Sequence, residues 1–146
     1  MLDWRYIVRG KLMAYRAQKE AVRSMGERLK TLEAAADGIR AATADGAPAR
    51  GGGNRREEAL CANICEREEV KRALRLTMDE IALIDRGFDA ISEEDMHLLT
   101  DAFVRGGYRW RERIAEERNI SEAQVYREVN AALDRLTVAM YGRTMQ

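Results

Sequence analysis

The sequence is poor in residues that break, staple or functionalise a chain. It holds one proline, Pro48, one histidine, His97, and two cysteines among 146 residues. With so little proline, and with Ala, Arg, Glu, Leu and Met dominant, long helices meet little opposition, and the chain reads as all-α. Cys61 and Cys65 lie four apart on one face of a helical pattern, which fits reduced packing thiols better than a disulfide framework. Two cysteines and a distant histidine lack the paired clusters that zinc requires, so no metal and no cofactor are expected. His97 has no partnered nucleophile and the carboxylates are spread over helical faces, so no enzyme is expected.

Other absences bound the setting. No apolar run approaches the roughly 18 to 20 residues of a membrane span, and the start, Met1 to Arg5, has no charged lead-in to an apolar stretch. A soluble, cytoplasmic protein is expected. Net charge is absent too, with 25 basic residues balancing 25 acidic ones. Any contact with a polyanion must therefore come from local placement. Between Arg5 and Lys30 there are eight basic residues and only two acidic ones, Glu20 and Glu27. That segment is a locally basic arm, and most such faces are merely solvated.

What is present is periodicity. Val8, Tyr15, Val22, Leu29 and Ala36 recur every seven residues, joined by Met25, Leu32 and Ile39 three further on, as in a coiled-coil seam. A second series, Leu60, Leu74, Ile81 and Phe88, is joined by Ile64, Val70, Met78, Ile84 and Ile91. Between them Asp45 to Asn54 gathers the only proline with four glycines and an asparagine, and reads as a flexible linker near residues 44 to 56. Two helices of about 35 residues, each about 50 Å long at 1.5 Å per residue, then form a coiled-coil-like hairpin over residues 1–91, or pair between chains as a homodimer.

Residues 92–146 carry a different pattern. Ser92 caps a helix opened by Glu93, Glu94 and Asp95, which points Met96, Leu99, Ala102 and Phe103 inward and stops at Gly106 and Gly107. Another helix is expected from about Tyr108 to Arg118, with Asn119 left-handed after it. Ser121 caps the last helix, whose inner face is Val125, Val129, Ala132, Leu133 and Leu136. Two helices that cross closely need a small residue at the crossing, Ala115, a turn residue four positions on, Asn119, and an apolar plug, Ile120. Such a helix-turn-helix admits its second helix to a major groove about 12 Å wide. Trp4, Tyr15 and Trp110 are read as core or staple residues.

The arrangement of Leu98 and Leu99, Phe103, Gly107, Trp110, Ile114 to Glu117, Ile120 and Ser121, Val125 and Tyr126, and Ala132 and Leu133 resembles region 4 of bacterial sigma factors. It is more closely similar to phage transcriptional regulators of the RinA and ArpU type, in which such a module follows a helical region interrupted by a Gly-rich loop. The resemblance implies a phage or prophage regulator that binds double-stranded DNA at a promoter, with host RNA polymerase as a further partner. Carried over by position, the DNA-facing residues are Ser121, Glu122, Gln124 and Arg127, and the phosphate contacts are Arg109, Arg111 and Arg113. Gln124 suits adenine, and Arg127 suits guanine or phosphate.

The charge balance runs against this reading. From Ser92 to Gln146 there are eight arginines, no lysine and ten acidic residues. Glu122 and Glu128 on the last helix repel phosphates, so one module alone binds weakly. A phage assembly or packaging component, such as a small terminase subunit, or a protein-interaction module that oligomerises through its helical stripes, is the competing expectation.

Overall fold

The computed structural model describes residues 1–44 and 53–145. Its elements are the helices α1 (Trp4–Ala44), α2 (Gly53–Asp89), α3 (Glu93–Leu99), α4 (Trp110–Arg118) and α5 (Glu122–Tyr141), with a π-helical segment, Thr100–Arg105, continuing α3. An all-α chain was the expectation, and the only β pairing among the described residues is the single bridge Asp3 to Met145. Of the expected linker, residues 45–52 lie outside the described residues. Its far end needs correction, because Gly53 to Arg56 already belong to α2. The run Arg55, Arg56, Glu57, Glu58 is made of good helix formers, and Arg56 Nη1 donates to the Ala42 carbonyl at 3.4 Å.

The described chain divides into two compact units, one of Met1–Lys19 with Asp79–Gln146, the other of Glu20–Met78. In the second unit α1 and α2 run antiparallel within one chain. Arg28 pairs with Glu66, and Asn63 Nδ2 donates to the Leu32 carbonyl at 2.8 Å. Buried here are Leu32, Ala36 and Asn63. The α2 seam steps alternately by three and four residues through Leu60, Asn63, Arg67, Val70, Leu74 and Thr77, all at least partly buried. Ile64 and Met78, expected on that seam, lie one position off it and are exposed. The sequence masked this because polar residues, Asn63, Arg67 and Thr77, occupy half of these seam sites. Asn63 also accepts from Arg67 Nε at 2.7 Å, and a polar residue satisfied in this way fixes the register of a helix pair. Cys61 and Cys65 are free and exposed, so they are not packing residues.

The first unit holds the main core. Val8, Leu12 and Tyr15 from the start of α1 and Ile84 and Phe88 from the end of α2 join Leu99, Phe103, Ile114, Val125, Val129 and Leu136 in one apolar cluster. The α5 face expected from spacing is buried along its length. Gly87 is needed where α2 meets α5, since a Cβ there would lie 2.7 Å from Met140 Cγ and 2.8 Å from Leu136 Cδ1. Tyr15 donates to the Asp85 carboxylate and meets Phe88 edge-on, ring centroids 6.1 Å apart. Lys11 pairs with Glu80. Near the two ends of the chain, Trp4 donates its N–H to the Thr144 carbonyl at 2.9 Å and stacks on Tyr141 with centroids 4.6 Å apart.

Ser92 caps α3 as expected, its hydroxyl oxygen accepting the Asp95 N–H at 3.1 Å. Asp95 then turns inward and accepts from Arg135 of α5 through Nε at 2.5 Å and Nη2 at 2.9 Å. The bond from Arg135 outweighs burial and holds the Asp95 carboxyl below its ordinary value, with help from Ser92.

Two predictions test this packing. Leu136→Ala, at a fully buried position, lowers unfolding free energy by about 2–5 kcal/mol in urea titration. Leu76→Ala, at a site 62% exposed, changes it by less than about 0.5 kcal/mol. Because the Asp95 carboxyl is depressed in the folded state, its contribution is present above the unfolded value of about 3.9 and lost as pH falls through the folded value. Asp95→Asn is therefore expected to cost about 1–2 kcal/mol at pH 7, discounted for the exposed Arg135. Thermal melts of the two proteins converge below pH 3.9 or so.

Candidate functional site

The segment from Gly106 to Arg127 holds every site residue expected from the sequence. Ile114 and Ala115 are buried under α4, and the small Ala115 allows close approach of α5. Asn119 adopts a left-handed conformation, φ 55°, ψ 48°. Its N–H donates to the Glu116 carbonyl at 3.3 Å while that of Ile120 donates to Ala115 at 3.1 Å. This pair of bonds satisfies carbonyls that the helix end would leave open, and asparagine tolerates the required backbone better than most residues. Ser121 then caps α5, its hydroxyl oxygen accepting the Gln124 N–H at 3.0 Å. Val125 is fully buried, which turns Glu122, Ala123, Tyr126 and Arg127 toward solvent.

The expected phosphate contacts separate into two kinds. Helix α4 begins at Trp110 rather than Tyr108, because Arg109 is itself left-handed, φ 58°. Its guanidinium lies 5.1 Å from the Tyr108 ring centroid and 3.6 Å from Glu112. Arg111 sits between two aromatic rings, 5.3 Å from the Trp110 centroid and 5.0 Å from that of Tyr126. Such stacking fixes the direction of the guanidinium and leaves its charge available. Arg113 faces inward instead. Its Nη1 donates to the Gly106 carbonyl at 2.8 Å and its Nη2 to the Asp101 carbonyl at 2.7 Å. Those carbonyls belong to the π-helical segment and the turn after it, where Gly106 has φ 52°. Arg113 is thus a fold residue that ties α4 to the preceding segment, which corrects its place among the surface contacts.

The α5 residues form a short chain of bonds. Arg127 Nη2 donates to Gln124 Oε1 at 2.7 Å, and Gln124 Nε2 donates to Glu128 at 3.1 Å. Glu122 is exposed and lines one shallow concavity with Arg111, Ala123, Tyr126 and Arg127. Sequence reasoning missed two aromatics at this surface, Tyr108, 87% exposed, and Tyr126, 50% exposed. The signal for Tyr126 was its place beside Val125, off the inward face of α5. Elsewhere among the described residues no group of three or more His, Cys, Asp or Glu side chains is placed to hold a metal ion. No described helix is long and apolar enough to cross a membrane.

Compared with protein families, curated proteins and solved structures, the chain gives no match.

Arg113→Lys cannot reproduce two divergent bonds from one planar group. We expect both Arg113→Lys and Arg113→Ala to lose about 1.5–3 kcal/mol of stability in denaturant titration, the range for bonds to a charged donor. Wild-type stability in Arg113→Lys would show that the guanidinium geometry is dispensable.

Proposed function

We propose that the protein binds double-stranded DNA through α4, the Asn119 to Ser121 turn and α5, as a helix-turn-helix transcriptional regulator of the sigma region 4-like, RinA and ArpU type that its sequence resembles. The observation that carries this reading is Arg111 of α4, laid over the Trp110 and Tyr126 rings beside the exposed start of α5 and without an ion pair among the described residues. An oriented, unpaired guanidinium beside a protruding helix start suits a phosphate oxygen at the edge of a groove.

In this reading the first turn of α5 enters the major groove, which is about as wide as a helix with its side chains. Ser121, Gln124 and Arg127 face base edges, and Arg109 and Arg111 hold the flanking backbone. Gln124 and Arg127 exchange their mutual bond for bonds to bases, so part of their arrangement exists before binding. Glu122 and Glu128 oppose phosphate and keep nonspecific affinity low, which favours discrimination over tight general binding. Tethering to host RNA polymerase at a promoter raises the effective concentration enough to offset that weakness. The competing assembly reading would use the helical stripes of α1 and α2 between chains; within the chain these helices meet through Asn63 with Leu32 and Arg28 with Glu66.

The test is fluorescence anisotropy with pooled promoter-region duplexes. Two or three phosphate contacts imply a log–log salt slope of about −2 to −3, so affinity drops roughly ten- to fortyfold between about 50 and 200 mM salt. Arg111→Ala weakens all fragments alike. Gln124→Ala and Arg127→Ala each remove about 1–3 kcal/mol from the preferred fragments only. No binding at either salt concentration overturns the reading.

A further inference from the structure

We infer that Tyr6 and Arg9, on the first turns of α1, form a second contact point for the DNA backbone, continuous with the start of α5. This rests on the duplex-binding reading above and extends it to an element far away in sequence.

Tyr126 is the hinge of the inference, because it lines two concavities at once. One is the surface shared with Arg111, Ala123 and Arg127. The other is lined by Tyr6, Arg9 and Asn130, with Asp3, Arg5 and Asp134. The charges in this second concavity are not equivalent. Asp3 and Asp134 are both engaged by Arg5, at 3.0 and 3.5 Å, and with Arg9 the charges lining the concavity balance. Among the described residues Arg9 makes no ion pair; its guanidinium lies 5.3 Å from the Phe103 ring centroid and is directed by that contact. The concavity therefore presents one cation outside the Arg5 ion pairs, Arg9, flanked by a phenol and an amide, both able to donate a hydrogen bond.

Arg9 and Arg111 resemble each other in construction. Each is a guanidinium laid over a ring of the same core or its rim, without an ion pair among the described residues, and each shares a concavity with Tyr126. Cations on α1 and α4 thus both adjoin Tyr126 of the helix proposed to enter the groove. A duplex offers phosphates on both sides of its major groove, so a second cation beyond Tyr126 meets a backbone rather than a base edge. Tyr6 is 79% exposed and Asn130 is half-buried; phenol and amide donors commonly complete phosphate contacts. A backbone contact of this kind adds affinity and orientation without sequence preference.

The experiment uses the full chain and a random-sequence duplex in anisotropy titrations from about 50 to 200 mM salt. Tyr6→Lys adds a cation and Tyr6→Glu an anion at an exposed helical site, so both should melt like wild type. Tyr6→Lys is expected to tighten binding about threefold and Tyr6→Glu to weaken it about fivefold at low salt, both effects shrinking as salt rises. Arg9→Gln flattens the salt slope by about 0.9, the loss of one phosphate contact. If Arg9→Gln also loses stability, the Tyr6 pair decides the matter. Tyr6 variants that bind like wild type, while Arg111→Ala with Arg127→Ala abolishes binding, overturn this inference and leave the α5 reading standing. A wild-type protein that binds no duplex overturns both.

Discussion

The inner face of α5 is the surface on which the rest of the larger unit is assembled. Val125, Val129, Ala132, Leu133 and Leu136 lie at helical spacing, and each is buried. Burying such side chains contributes roughly 1.5–3 kcal/mol apiece before the cost of ordering the chain. Against that face pack α4 through Ile114 and Ala115, α3 through Leu98 and Leu99, and the end of α2 at Gly87. Two polar pins reach the same helix: Arg135 from α5 holds Asp95, and Asp134 meets Arg5. Because α5 is fixed by its whole length, its first turn is held rigidly, and a rigid helix start can present side chains in a defined direction.

Electrostatics decides which cations remain available at that start. A chain with as many acids as bases can neutralise itself, and in the larger unit it does so in part: Arg5, Lys11, Arg105, Arg109 and Arg135 each meet a carboxylate. Arg9 and Arg111 instead lie over aromatic rings. A ring face orients a guanidinium without cancelling its charge. The aromatic side chains near α5 thus serve both packing and the surface, and they orient two guanidinium groups there.

Much of the local architecture was legible from residue types. Ser92 and Ser121 cap their helices, Asn119 is left-handed, and the α5 face is buried, each because a short-range rule has no strong competitor there. Three features were not legible. The α2 seam passes through Asn63, Arg67 and Thr77, so an apolar-only reading shifted to Ile64 and Met78. The start of α1 belongs with the C-terminal core, a long-range contact that no local pattern announces. The role of Arg113 is set by two backbone carbonyls made accessible around the Gly106 turn, which composition does not reveal. At the candidate surface, charge placement was visible in the sequence but charge pairing was not, since pairing depends on tertiary neighbours.

The central claim is that the start of α5 is the surface that meets duplex DNA. The most direct measurement is a two-dimensional amide NMR titration of the isotopically labelled protein with duplex DNA at low salt. The account predicts that shifts concentrate at residues 108–111 and 121–127, with smaller changes near residues 6–9, while residues 20–42 and 54–78 stay in place. Shifts confined to residues 54–78, with the start of α5 unmoved, would contradict it.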